Sequence, residues 1–283
     1  MSDDPRHSPG RGPARIEELR ADVLAARLGP APIELVATSV FWIQHGTRLT
    51  GGGVTYRNQY LLVRVRDAFG ACAFEEGEVP AQLCGEWSGR PVAELLDADV
   101  PALRVAALDA YLGTLAPHRA DPRAESVELP TGSPEVRAAA RDNAVAELLR
   151  VPAGGTVGMI GVVNPLVAAV RERGATPLLC DSNLRSTQWG DPVSQDMTAL
   201  LETADVVLAT GMTIGNGSFD RILVRCRQRG VPLVLYAQTG AAIAREFLGY
   251  GVSALSAEPF PFSQFSAGPT TLYRYRDPIG TAG

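Results

Sequence analysis

Apolar runs alternate with amphipathic segments through the second half of the chain. Thr156–Val163, Thr176–Asn183 and Asp205–Gly211 begin with the short apolar runs that are typical of buried strands. Segments with the helical spacing of apolar residues follow the first and third of these runs and end at Gly174 and Gly230. Strands and helices that alternate in this way predict right-handed βαβ crossovers and a parallel sheet with helices on both faces.

The first half of the chain has a different pattern. Two alternating segments, Ile33–Ile43 and Tyr56–Arg66, predict strands separated by a turn at Gly51–Gly53, and Ala71–Phe74 predicts a third. Helical spacing predicts helices at Ile16–Arg27, Pro91–Leu96, Pro101–Leu115 and Pro134–Leu149. The chain therefore divides into a disordered tail (1–15), a smaller α+β domain (16–115), a helical linker (116–154) and a Rossmann-like ligand-binding domain (155–283).

The composition indicates which classes of binding partner and which cellular compartment to expect. The 283 residues are 46% hydrophobic, which is enough for two ordinary cores. The net charge of −5 and the lack of a basic block argue against nucleic acid. No apolar run reaches the roughly 18 residues of a membrane span, and the polar start of the chain has no signal-peptide core. Four widely spaced cysteines fit reduced thiols, so we expect a cytoplasmic protein.

Two segments resemble a known family. VGMIGVVNPLV and ADVVLATGMTIGNGSFDRIL are similar to the Rossmann-like domain family named for heavy-metal chelation. LCGEWSGRPVAELLD followed by ALRVAALDAYLG resembles the segment that joins such a domain to an N-terminal domain with the enolase N-terminal fold. The resemblance covers roughly residues 33–255. It implies the fold of both halves, and the family name suggests a bound metal.

The predicted strand Thr156–Val163 is not followed by a pyrophosphate-binding fingerprint. A dinucleotide fingerprint needs three glycines as G-x-G-x-x-G, but here only Gly158 and Gly161 are present, and Pro165 has no N–H at the helix start. Asp181 lies 20 residues after Gly161, where an acid can bind a ribose. This combination favours an adenosine ligand without phosphates, and S-adenosylmethionine (SAM) is the cofactor that we expect. The predicted cofactor residues are Gly158, Gly161, Asn164, Asp181, Ser182, Asn183, Thr210 and Gly211.

Several of these residues have a structural alternative. Gly158 and Gly161 would also allow a strand to pack tightly against a helix. The residues Asp-Ser-Asn at 181–183 are also typical of a turn.

A second polar loop, Thr210–Ser218, contains three glycines. Positive φ angles at those glycines would let backbone N–H groups converge on a carboxylate in front of the next helix. We therefore predict substrate contacts from Thr213, Asn216 and Ser218. Capping of that helix by Ser218 or Asn216 is the alternative.

The sequence gives little support for a metal or for a named catalytic residue. No closely spaced Cys or His pair is present, and Cys180 beside Asp181 is the best single candidate, although a buried thiol is the ordinary alternative. Asp181 with Glu75 or Glu76 could form a hard-metal site. The chain has no lysine, which excludes a Walker-type loop and an internal Schiff base with pyridoxal phosphate. No nucleophile elbow is present.

Three functions remain open. The first is a SAM-dependent transferase or lyase-type cyclase of specialised metabolism, which acts by methyl or alkyl transfer to a small amino-acid-like substrate or by cyclising SAM itself. The second is a heavy-metal or metallophore-binding protein. The third is a non-catalytic interaction protein, in which the aromatic run Phe260–Phe265 would be exposed and would form a lid or the contact of a homodimer.

Overall fold

The structure is a computed structural model that describes residues 12–48 and 55–277. Most of the predicted tail at residues 1–15 and the predicted turn at Gly51–Gly53 lie outside the described residues. In these two ranges, every helix is too short or too polar to cross a membrane.

The helices and strands of the described residues are numbered in chain order. The strands are β1 (Ala37–Thr47), β2 (Tyr56–Val65), β3 (Ala68–Phe74), β4 (Glu125–Leu129), β5 (Thr156–Ile160), β6 (Thr176–Cys180), β7 (Val206–Thr210), β8 (Leu233–Ala237), β9 (Ala254–Ala257) and β10 (Thr270–Arg276). The helices are α1 (Ile16–Leu24), α2 (Leu83–Trp87), α3 (Val92–Leu96), α4 (Pro101–Leu115), α5 (Pro134–Ala146), α6 (Asn164–Glu172), α7 (Thr198–Thr203), α8 (Met212–Gly215), α9 (Phe219–Arg229) and α10 (Ala241–Arg245).

The smaller unit is an antiparallel sheet in the order β1-β2-β3 with α4 packed against it. Side chains of β2 alternate between its two faces. Leu61 and Val63 lie in the main core with α4, while Leu62 packs with Phe262 on the opposite face. β3 can approach α4 closely because Gly70 has no side chain, and a Cβ there would lie 2.0 Å from the backbone nitrogen of Ala110. The α+β architecture predicted for this half is confirmed.

The larger unit is a seven-stranded sheet in the order β4-β10-β9-β8-β7-β5-β6. The strands from β5 to β9 are parallel, as their apolar runs predicted, and β10 and β4 add an antiparallel edge. Helices α5 and α6 contribute to the core on one side, and α7, α9 and α10 to the core shared with the smaller unit. Counted among themselves, the parallel strands follow the order 2-1-3-4-5, so the strand order reverses between β5 and β7. The predicted Rossmann-like α/β fold is therefore confirmed.

Residues 116–154 are not the separate helical linker that the sequence predicted. They contribute β4 to the edge of the large sheet, where Val127 pairs with Leu272 of β10, and α5 packs on α6. The strand was missed because only Leu129 of its five residues is fully buried, which leaves almost no apolar signal. A single core cluster also extends through both units.

The sequence had suggested that the aromatic run Phe260–Phe265 is exposed, and the structure shows that it is not. Phe262 is fully buried, and its ring centroid lies 5.3 Å from that of Tyr60 on the smaller sheet. Phe265 also packs on Tyr60, at 6.2 Å. The run therefore connects the two units, and its partner face could not be seen in the sequence because β2 lies about two hundred residues earlier.

Candidate functional site

A cleft of about 1550 Å³ opens at the carboxyl ends of the parallel strands. The loops after β5, β6, β7 and β8 form one wall. The facing wall includes His45 and Asn58 of the smaller sheet and Glu75, which directly follows β3. Gly161 and Thr210 border the cleft where the strand order reverses, which is the usual ligand position in such sheets. The volume exceeds the roughly 300–1,000 Å³ of an ordinary small-molecule site, so two small molecules fit together.

The turn after β5 is fixed by close packing at the reversal point. Gly161 has a φ of 88°, and a Cβ there would lie 2.6 Å from Cγ2 of Thr210 and 2.8 Å from the hydroxyl of Tyr236. That hydroxyl donates to the Gly161 carbonyl oxygen at 3.0 Å. Gly161 is therefore required both for backbone conformation and for space, and its peptide lies at the cleft.

Asp181, at the end of β6, joins two loops of the cleft wall. Its Oδ2 accepts the N–H of Val162 at 2.9 Å, and its Oδ1 accepts the N–H groups of Asn183 at 2.8 Å and Leu184 at 3.0 Å. A carboxylate has about four acceptor positions, so about one is left for a ligand. Asp181 therefore stabilises the turn that follows β6. Its contact with a ribose stays a prediction, and the carboxylate could accept about one hydrogen bond from that ribose.

The other polar residues predicted beside Asp181 also border the cleft. The Asn164 side chain accepts the N–H of Gln188 at 3.1 Å through Oδ1. The Asn183 amide donates to Oε1 of Glu75, at 3.3 Å, and so connects the two walls. Ser182 accepts a hydrogen bond from Arg185 through its carbonyl oxygen, at 2.9 Å.

The loop Thr210–Ser218 does not have the predicted conformation. Met212–Gly215 forms α8, and among the three glycines only Gly217 has a positive φ, 75°. Gly215 is needed for a close approach instead, because a Cβ there would lie 2.8 Å from Sγ of Cys72 and 2.9 Å from the Ala73 carbonyl oxygen on β3. The prediction of three left-handed glycines is therefore wrong.

Most donors of this loop are used inside it. The N–H groups of Ile214, Asn216 and Ser218 all donate to acceptors within the loop, at 3.0–3.1 Å. The Thr213 hydroxyl donates to the Thr210 carbonyl oxygen at 2.7 Å, and the Ser218 hydroxyl donates to Oδ1 of Asn216 at 2.6 Å. Thr213, Asn216 and Ser218 do line the cleft, but the expected group of converging free donors is not formed. Ser218 precedes α9 without capping it by its side chain.

Gly158 and Gly211 serve packing in place of the predicted cofactor contact. A Cβ on Gly158 would lie 2.3 Å from Cδ2 of Leu200, and one on Gly211 would lie 2.4 Å from the Thr239 carbonyl oxygen. Neither glycine is among the residues that line the cleft. Sequence position alone could not show that a helix and a neighbouring loop pack directly on these two Cα atoms.

A polar network that the sequence did not reveal lies deep in the cleft. Glu258 is 3% exposed, and its Oε2 accepts from the Gln238 amide at 2.9 Å. Gln238 and Gln264 exchange two amide hydrogen bonds, at 2.8 and 3.1 Å, and Gln264 also donates to the Tyr60 hydroxyl at 3.4 Å. Gln238 and Glu258 directly follow β8 and β9, so the rule that ligands bind at the carboxyl ends of strands could have identified them.

Arg141 on α5 is the second feature that the sequence did not reveal. It lines the cleft, and its Nε donates to Oδ1 of Asp142 at 2.8 Å. No partner of its two terminal nitrogens occurs among residues 12–48 and 55–277. Burial by itself would lower the pKa of Arg141, but the carboxylates of Asp142 and Glu258 raise it, so the guanidinium stays charged.

The donor set of the cleft does not suit a heavy metal. In the part of the chain that the structure describes, no group of three or more His, Cys, Asp and Glu side chains could hold a metal ion. Burial raises the pKa of Cys180 and disfavours the thiolate that a soft metal binds. His45 lies on the facing wall. Asp181 and Glu75 are linked only through the amide of Asn183.

Comparison with known proteins shows what the larger unit is similar to. Residues 143–257 match the model of the DUF364 family, which is described as "Putative heavy-metal chelation". A DUF364 protein of unknown function from Desulfitobacterium hafniense DCB-2 is similar in structure, with a TM-score of 0.58 and 15% identity over 92% of this chain and 97% of that chain. Another from Pyrococcus horikoshii has a TM-score of 0.50 and 16% identity over 84% of this chain and 86% of that chain. No curated protein matches this sequence.

The identities of 15% and 16% make these likenesses evidence of fold alone. The family description names a function that the side chains of the cleft do not support by themselves. The resemblance predicted from the sequence, to the Rossmann-like family named for heavy-metal chelation, is confirmed for residues 143–257.

Proposed function

We propose that the protein is an enzyme that binds SAM in this cleft. It would transfer a methyl or alkyl group from SAM to a small amino-acid-like substrate, or cyclise the aminobutyl chain of SAM. The observation that carries the proposal is Asp181, a carboxylate at the end of the second parallel strand, beside the reversal of strand order and on the wall of a large cleft. In dinucleotide-binding sheets, an acid at this position binds the ribose hydroxyls.

The start of α6 supports a ligand without phosphates. Pro165 supplies no N–H in the first turn of this helix. The N–H of Val162, in the turn just before the helix, is already donated to Asp181. A pyrophosphate would need such donors at the helix N-terminus, so an adenosine with an uncharged or cationic 5′ substituent fits this end of the cleft better than a dinucleotide.

SAM would bring its own leaving group, so the protein need only bind and orient the reactants. In methyl transfer, a lone pair of the substrate forms a bond to the methyl carbon while the carbon–sulfur bond breaks and its electrons stay on sulfur. The neutral thioether leaves, and the substrate proton passes to solvent. In cyclisation, the amino group of SAM first loses a proton to solvent, and its nitrogen then forms the new bond to the γ-carbon of SAM. The bond between that carbon and sulfur breaks with its electrons on sulfur, and neutral methylthioadenosine leaves. The described cysteines are all unpaired, which fits the cytoplasm that we propose as the setting.

Titration calorimetry of the purified protein with SAM, Zn²⁺, Ni²⁺ and Fe²⁺ tests the proposal. We expect saturable binding of SAM, and a stabilisation of about 2.7 kcal/mol in thermal unfolding at a hundredfold excess over Kd. Stoichiometric binding of a metal without binding of SAM would favour the function in the family name. Binding of neither would favour an interaction protein.

Product analysis then separates the two reactions. Incubation of SAM with the protein alone should yield methylthioadenosine if SAM is cyclised. Incubation with a pool of amino acids should yield S-adenosylhomocysteine if a methyl group is transferred. A protein that binds SAM but forms neither product would contradict the enzymatic part of the proposal.

A further inference from the structure

We propose that Arg141 and Glu258 hold the α-amino-acid end of the ligand, with the guanidinium on its carboxylate and Glu258 on its ammonium group. This assignment rests on the proposed function, because it concerns the part of an adenosyl amino acid that lies beyond the adenosine. The sequence analysis had predicted that the loop Thr210–Ser218 binds the carboxylate. The N–H and hydroxyl donors of that loop are largely occupied within it, so we place the carboxylate of the ligand at Arg141 instead.

Arg141 differs from its neighbour one turn earlier on α5. Arg137 also lines the cleft, but its guanidinium donates to the carbonyl oxygens of Pro130 and Gly268 and to the hydroxyl of Thr270, so its role is structural. The side chain of Arg141 is 23% exposed, and only its Nε has a partner among the described residues. Arg141 lines the cleft, and a planar guanidinium binds a carboxylate through two parallel hydrogen bonds.

Glu258 has acceptor capacity left for an ammonium group. Its Oε1 accepts the N–H of Ser263 and its Oε2 accepts the amide of Gln238. Each oxygen has two lone pairs, so one acceptor position remains on each. The residue borders the cleft although it is only 3% exposed, which makes a charged hydrogen bond there strong because little water competes.

The charge of this end of the cleft matches a zwitterion better than a simple anion. Arg141 and Arg137 carry two positive charges, and Asp142 and Glu258 together carry two negative charges when ionised, so this part of the cleft has almost no net charge. Oδ2 of Asp142 is buried without a partner among the described residues. Phosphate or sulfate would meet these two carboxylates, whereas an α-amino acid presents a carboxylate to the guanidinium and an ammonium group to Glu258.

Tyr236 links this end of the cleft to Asp181. Its hydroxyl donates to the Gly161 carbonyl oxygen, beside the proposed ribose position. The pKa of Tyr236 is raised, mainly by burial and further by the charges of Asp142 and Asp181, while Arg141 acts in the opposite direction. Asp181 and Arg141 therefore both lie within electrostatic range of one hydroxyl, as a single ligand with an adenosine and an amino-acid end requires.

The test compares two ligands that differ only in the amino-acid end. S-adenosylhomocysteine and 5′-methylthioadenosine are both neutral thioethers of adenosine, and calorimetry gives the Kd of each for the wild type, Arg141→Met, Arg141→Lys and Glu258→Gln. The wild type should bind S-adenosylhomocysteine at least about tenfold more tightly. Arg141→Met and Glu258→Gln should weaken that ligand by about ten- to hundredfold and leave methylthioadenosine within about twofold. Arg141→Lys should recover part of the loss.

Arg221→Met is the matched control, because Arg221 is an exposed arginine that does not line this cleft. It should change both affinities by less than about threefold. The inference is overturned if Arg141→Met binds S-adenosylhomocysteine like the wild type, or if both ligands weaken equally in a variant that unfolds at the wild-type temperature. A wild type that binds neither ligand would overturn the proposed function as well, which is a distinct result.

Discussion

Asp181 has a structural role and a proposed binding role, and the two can be measured separately. Asp181→Ala removes the acceptor of three backbone N–H groups, those of Val162, Asn183 and Leu184. Each hydrogen bond to a charged acceptor contributes about 1.5–3 kcal/mol. Because the carboxylate is only half-buried, water can reach some of the freed N–H groups. We therefore expect the free energy of unfolding to fall by about 2–4 kcal/mol in urea titrations.

The binding role has its own magnitude. Three acceptor positions of the carboxylate are occupied inside the protein, so it should accept one ribose hydroxyl rather than both. A single charged hydrogen bond corresponds to about 1.5–3 kcal/mol of coupling, or roughly ten- to 150-fold in Kd. One of the two ribose hydroxyls should therefore be much more important than the other.

A cycle of ligand and protein changes measures this coupling. Calorimetry would compare 5′-methylthioadenosine with its 2′-deoxy and 3′-deoxy analogues on the wild type and on Asp181→Asn, which preserves shape and the Oδ1 acceptor. One deoxy analogue should bind more weakly to the wild type and show almost no further loss on the variant. Coupling below about 0.5 kcal/mol for both analogues would refute the ribose assignment. Asp99→Asn, at an exposed position outside the cleft, is the control.

Three further predictions concern the stability of the fold, each measured by urea unfolding. Asp109→Ala should cost about 3–5 kcal/mol, because its buried carboxylate accepts three backbone N–H groups from both units; a loss under about 1 kcal/mol would contradict this. Gly215→Ala should cost about 1–3 kcal/mol through its contact with Cys72, and an unchanged midpoint would argue against it. Burial lowers the pKa of His118 to about 3, so its stabilising contribution is complete above about pH 7 and is lost progressively as pH falls from 6.5 towards 3. Between pH 7 and pH 5 the wild type should lose about 2 kcal/mol more than His118→Phe, and equal losses would refute the assignment.

The sequence predicted those elements whose signals are local. Pro101–Leu115 matches α4 at both ends, because a proline in the first turn and apolar residues at helical spacing are local signals of such a helix. The buried parallel strands were equally clear as short apolar runs. The predicted strand at Ile33 begins only at Ala37 in the structure, since Pro32–Glu34 forms one turn of 3-10 helix. Strand β4 was missed because its side chains are mostly exposed.

The position of the cleft was predictable from the sequence, but the packing roles of its residues were not. The rule for strand ends placed the cleft correctly, and Asp181, Asn164 and Thr210 all border it. The roles of the glycines depended on distant packing that no local pattern reveals, as the contact of Gly215 with β3 shows. Arg141 reaches the cleft from a helix before the first parallel strand, so its position relative to the strand ends could not be inferred from spacing.

The family match does not include all residues of the cleft. The matched region ends at residues 143 and 257, so Arg141 and Glu258 lie just outside it, and the residues of the smaller sheet lie further away. The match therefore covers the parallel strands and the wall with Asp181, and it does not include Arg141, Glu258 or the smaller sheet. Proteins with the same scaffold can then bind different ligands, because specificity would come from side chains that the scaffold does not dictate. Exchange of Arg141 and Glu258 for apolar residues should accordingly change which ligand binds, with the sheet left intact.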